Sequence, residues 1–107
     1  MMALQNLLQA DECRGMDDIR AQIDRIDRAV VGLIGRRYRY VLAAARFKTS
    51  ETSVRAPERF AAMLSKRREW AVEEGLNADV IEKLYADLVG HFIDEEMRRW
   101  KAEHVPD

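Results

Sequence analysis

Residues 17–48 read DDIRAQIDRIDRAVVGLIGRRYRYVLAAARFK, and this stretch decides the fold. It contains no proline and carries apolar residues at Ile19, Ile23, Ile26, Val30, Leu33, Val41 and Ala44. Steps of three and four put these on one face of an α-helix. Position 37, four beyond Leu33 and four before Val41, belongs to the same stripe but holds Arg37. A charge where the pattern calls for a hydrophobe points to something buried and anionic meeting the helix there. About 30 residues of helix span roughly 45 Å, longer than a globule of 107 residues is wide. Such a stripe stays uncovered unless another long helix lies along it, which favours a dimer of interlocked helices.

On the N-terminal side, residues 1–16 read as a loose arm, with Leu4, Leu7 and Leu8 free to dock on a neighbouring surface. Asp17 or Asp18 is placed to cap the long helix, where an acidic residue suits the helix dipole. On the C-terminal side, residues 49–56 (TSETSVRA) are small, polar and β-branched, a loop signal. This loop is positioned to act as a lid over a bound ligand, although an ordinary connection has the same composition. Pro57 opens a second helix with Phe60, Met63, Leu64 and Ala71 inward, and Gly75 reads as its left-handed cap. Asn77 begins a third helix running to about Trp100. The expected fold is therefore all-α: one domain over residues 17–102 with three helices, the first the longest, and a short tail over 103–107.

The bulk composition bounds the function. Hydrophobic residues make up 48% of the chain, enough for a core, and 18 Lys+Arg balance 19 Asp+Glu for a net charge of −1. A nucleic-acid binder would show a one-signed basic face, so none is expected. No apolar run is long enough to cross a membrane, and the first residues lack the charged start and cleavage site of a signal peptide. The expectation is a cytoplasmic protein without membrane contact. One cysteine, Cys13, cannot form an internal disulfide, and no Cys/His cluster calls for a metal.

Four charged residues break the amphipathic pattern: Arg37, Lys48 at the expected end of the long helix, Arg59 beside Phe60, and Glu96 among Phe92, Ile93 and Trp100. Long cationic side chains snorkel, and a buried Arg–Glu pair can be purely structural. Three cations and one carboxyl arriving from three helices, however, leave net positive charge for a dianionic ligand. Arg20 lies 17 residues before Arg37, about 25 Å along the same helix, so one chain cannot bring both to one small molecule. If two long helices pair antiparallel near Arg28 and Ala29, Arg20 of one copy falls beside Arg37 of the other and two shared sites result. The competing reading of Arg20 is an ordinary helical partner of Asp24.

These residues also carry a resemblance. The pattern D-I-R-x-x-I-D-x-I-D over residues 18–27, then G-R-R, F-K, P-E-R and the E-E near the end resembles the all-helical chorismate mutase family. Within it, the resemblance is to the isochorismate-pyruvate lyases of salicylate and pyochelin biosynthesis, and it covers about Cys13 to Trp100. It implies an intertwined dimer of three-helix chains with shared active sites, a dicarboxylate substrate, and no cofactor or metal. By motif, Arg20 would be lent by the partner chain to a substrate carboxylate, and Arg37 would bind the enolpyruvyl carboxylate. Lys48 would contact the ether oxygen of the breaking bond, and Arg59 would help hold a carboxylate and close the site. Val41, Ala44, Met63 and Ile93 would line the apolar wall, with Glu96 where the lyases and many mutases have glutamine. The implied reaction is pericyclic, so conformer selection and positive charge at the ether oxygen replace a nucleophile.

Two departures bear on which reaction it is. In typical mutases of this class, a glutamate following the arginine at position 59 accepts the ring hydroxyl of chorismate. Phe60 cannot, which matches the lyases. Glu96 must be protonated to donate a hydrogen bond, since an ionised carboxylate only accepts. The expected activity is isochorismate-pyruvate lyase with weak chorismate mutase activity. Chorismate mutase serving aromatic amino-acid synthesis is the enzymatic alternative, and a non-catalytic helical dimer or regulatory domain retaining the ligand pocket is the other.

Overall fold

The computed structural model describes residues 4–104, and every regular element among them is helical. Three long helices appear in the expected order: α1 (Met16–Ala44), α3 (Pro57–Glu73) and α4 (Ala78–His104), with a short α2 (Glu51–Arg55) between the first two. The chain divides into two compact units, residues 1–40 and 41–107, with the division falling inside α1.

The first unit is most of α1 and the segment before it. Gly15 supplies the first helical acceptor to the amide of Ile19, so Asp17 and Asp18 lie inside the first turn instead of capping it. Asp18 still reaches back to the amide of Arg14 at 3.0 Å, and both carboxylates sit at the positive end of the helix dipole. The described part of the arm is not loose. Leu8 donates its amide to Gln22, and Arg25 donates to the carbonyls of Gln5 and Asn6, folding the segment back along α1. The apolar stripe of α1 lies open: Ile23, Ile26, Val30 and Leu33 are each more than 40% exposed. Only Ala29 in this helix is buried.

The second unit packs α3 and α2 on α4. From α3 the inward residues are Met63 and Ala71; from α4 they are Val89, Glu96, Met97 and Trp100. Phe60 and Leu64, expected inside, are half-buried. Arg68 on α3 bridges Asp79 and Glu82 on α4, and the hydrogen bond with Asp79 contributes most to raising its guanidinium above the ordinary value. The α3–α4 turn follows the sequence closely. Gly75 has φ +73°, with Leu76 donating to the carbonyl of Ala71 and Gly75 to that of Val72, a Schellman closure. Asn77 then caps α4, its side chain accepting from the amide of Val80 at 3.1 Å.

Three expectations change between α1 and α3. α1 does not run to Lys48: it tightens into a 3-10 turn over Ala45–Phe47, and Lys48 beyond it is extended (φ −100°, ψ 134°). Lys48 is therefore not on the face of Arg37 three turns along the same helix. Residues 49–56 are not a loop throughout, because Ser50 and Ser53 form a capping box for α2 and Val54 is 1% exposed. A segment pinned by a fully buried valine is not a free flap. At the other end α4 continues to His104, past the expected start of the tail; residues 105–107 and the first three residues of the arm lie outside the described residues.

A β-carbon at Gly75 would meet no neighbouring atom, so its substitution costs only the left-handed backbone. Gly75→Ala is expected to lower stability by about 1 kcal/mol. Urea unfolding at fixed protein concentration should show a lower midpoint with unchanged slope.

Candidate active site

The residue after the 3-10 turn and one face of α4 form the centre of the site. Lys48 Nζ donates to both carboxylate oxygens of Glu96, at 3.0 Å to Oε1 and 2.8 Å to Oε2. The Glu96 side chain is only 3% exposed and that of Lys48 is 25% exposed. A carboxylate this deep needs its cation, since removing a charge from water is compensated only by pairing and hydrogen bonds. An ammonium has three donors, so two of them serve Glu96 and one remains for another acceptor. One turn further along α4, the indole Nε1 of Trp100 donates to the main-chain carbonyl of Lys48 at 2.9 Å.

The other residues singled out in the sequence are placed as follows. Met63 is buried one turn into α3, Ile93 is half-buried three residues before Glu96, and Val41 and Ala44 are half-buried in the last turn of α1. Arg59, in the first turn of α3, is exposed, and among the described residues it has no hydrogen bond or ion pair. Among the described residues the cation paired with Glu96 is Lys48, not Arg59. Arg20 is exposed on α1 and forms no ion pair with Asp24, its expected helical partner. Arg37 is half-buried, and its Nη1 is buried without a hydrogen-bond partner among the described residues. An unsatisfied guanidinium nitrogen is costly and is suited to a carboxylate.

The sequence missed two residues that matter here. Val54 was hidden in a stretch of loop-like composition, yet it forms one buried cluster with Met97 and Trp100. Trp100 was visible only as an apolar position, and its spacing of four from Glu96 was the available signal. A surface cavity of about 360 Å³ is lined by Arg55, His91, Asp94, Met97, Arg98 and Lys101, none of them a candidate site residue. No group of His, Cys, Asp and Glu suited to a metal occurs among the described residues. No described helix is long and apolar enough to cross a membrane.

Comparison with known proteins identifies relatives of this chain. Residues 19–97 match the family model described as chorismate mutase type II. The chain is 48% identical over 91 residues to the isochorismate pyruvate lyase of Pseudomonas aeruginosa, covering 85% of this chain and 90% of that protein. It is 35% identical over 81 residues to the T-protein of Haemophilus influenzae, covering 75% of this chain but 20% of that protein.

The unequal burial of the pair makes the two partners unequal. Lys48→Met strands a buried carboxylate and should cost about 3 kcal/mol near neutral pH. Glu96→Gln leaves a lysine that can turn to water and should cost about 1 kcal/mol. Urea unfolding of both variants near neutral pH checks the asymmetry.

Proposed function

Because the chain belongs to the chorismate mutase type II family, we propose that it is an isochorismate-pyruvate lyase with weak chorismate mutase activity in the same site. It converts isochorismate to salicylate and pyruvate in one pericyclic step. The observation that carries this reading is the near-complete match to a protein named isochorismate pyruvate lyase. Phe60 supports the same choice, since it offers no acceptor for the chorismate ring hydroxyl.

In this reading the catalyst is an arrangement of charges in an apolar cleft. Arg37, with its unpartnered nitrogen, binds the enolpyruvyl carboxylate, and Arg20 of a second copy binds the other carboxylate. The free donor of Lys48 faces the ether oxygen as the bond stretches and negative charge grows there. Arg59, exposed and unengaged, helps hold a carboxylate and closes the site. Val41, Ala44, Met63 and Ile93 form the wall that selects the compact reactive conformer. The exposed stripe of α1 and the Arg20–Arg37 spacing support a homodimer that shares its two sites. The proposed location is the cytoplasm.

Glu96 has two parts in this scheme. Ionised, it holds Lys48; protonated, it donates a second hydrogen bond to the ether oxygen. A carboxyl at this position also favours the second reading, chorismate mutase, because some mutases of the class use glutamate there.

Supplying each substrate separately tests the assignment: salicylate plus pyruvate from isochorismate is expected, with little prephenate from chorismate. Prephenate as the dominant product selects the mutase, and no turnover of either substrate sinks the enzyme reading.

A further inference from the structure

We infer that Trp100 is a positioning residue for Lys48, acting through the hydrogen bond from its indole N–H to the Lys48 main-chain carbonyl. The inference rests on the reading above, in which the Lys48 ammonium meets the breaking bond, and it names the group that holds the ammonium there. Lys48 follows the last residue of the 3-10 turn and is extended, so its carbonyl points out of the helical ladder and needs a donor from elsewhere. α4 supplies it. Glu96 and Trp100 lie one turn apart on the same face and grip Lys48 at both ends, the first at Nζ and the second at the carbonyl. A four-carbon stem fixed at one end alone would leave its ammonium free to sweep through many rotamers. Held at both ends, it has few.

The indole is itself held on three sides. It is 8% exposed and packs in one cluster with Val54 and Met97. The imidazole of His104 stacks on it at 4.6 Å with 13° between the planes, and His104 Nδ1 lies 2.9 Å from the Trp100 carbonyl. Val54 belongs to α2, so Trp100 fixes both Lys48 and the helix that follows it. A buried tryptophan usually finds a partner for its N–H, and a purely structural bond would need no particular one. Here the partner is the backbone of the lysine at the centre of the site.

Replacing Trp100 by β-(3-benzothienyl)alanine puts sulfur in place of the N–H and keeps the ring. The expected result is a fall of about tenfold in kcat, as small misplacements of a catalytic group produce. KM should change less than twofold, and the far-UV spectrum and melting temperature should stay close to wild type. Trp100→Phe should move kcat in the same direction. A second readout does not depend on turnover: the Lys48 ammonium, identified by its loss in Lys48→Arg, should give an observable proton–nitrogen resonance in wild type. It should broaden or vanish in the benzothienyl variant. An unchanged kcat in an active enzyme, or an unchanged ammonium resonance, overturns the inference. If wild type converts neither substrate, the lyase reading fails by itself and the resonance alone decides the role of Trp100.

Discussion

The rise of an α-helix, about 1.5 Å per residue, limits what α1 can do. This one helix of 29 residues carries both Arg20 and Arg37, too far apart to touch the same small molecule. It also carries a row of apolar side chains left open along its length. Each isoleucine, leucine or valine of that row is worth about 1.5–3 kcal/mol when fully removed from water. The proposed dimer answers both facts with one operation: a second α1, antiparallel, covers the row and brings the missing arginine to each site.

The other half of the site depends on a buried charge. Glu96 is nearly inaccessible, and Lys48 keeps it satisfied while remaining partly open to solvent itself. A closed pair has no net charge, so in the proposed reaction the attraction for a dicarboxylate would come from the arginines, with Lys48 acting at the bond that breaks. This division suits a reaction that forms no covalent intermediate, since fixed charge and a restricted conformer are all the protein has to provide.

Periodicity sufficed wherever local chemistry decides the backbone. The long first helix, the glycine cap at Gly75 and the asparagine cap at Asn77 were all legible, because each rests on residues within one turn of the feature. The pairing of Glu96 with a cation was legible as a charge in an apolar stripe with Lys48 among the cations expected near it, but which of them makes the pair was not, since Lys48 and Glu96 are 48 residues apart in sequence. The end of α1 was misjudged for a related reason. Nothing between Ala44 and Phe47 breaks a helix, and the turn that releases Lys48 is fixed in part by a hydrogen bond from distant Trp100. Residues 49–56 have the composition of a loop, and only the tertiary burial of Val54 reveals the short helix there. Arg59 was expected among the converging charges, and its side chain is exposed at the start of α3.

The central claim is that α1 gives its two arginines to two different sites. Subunit complementation tests it directly: Arg20→Ala and Arg37→Ala chains, each inactive alone, are co-expressed and assayed for turnover of isochorismate. Random pairing makes half of the dimers mixed, and each mixed dimer holds one intact site, so about a quarter of the wild-type rate should return. A mixture as inactive as either parent would contradict the account and place the whole site within one chain.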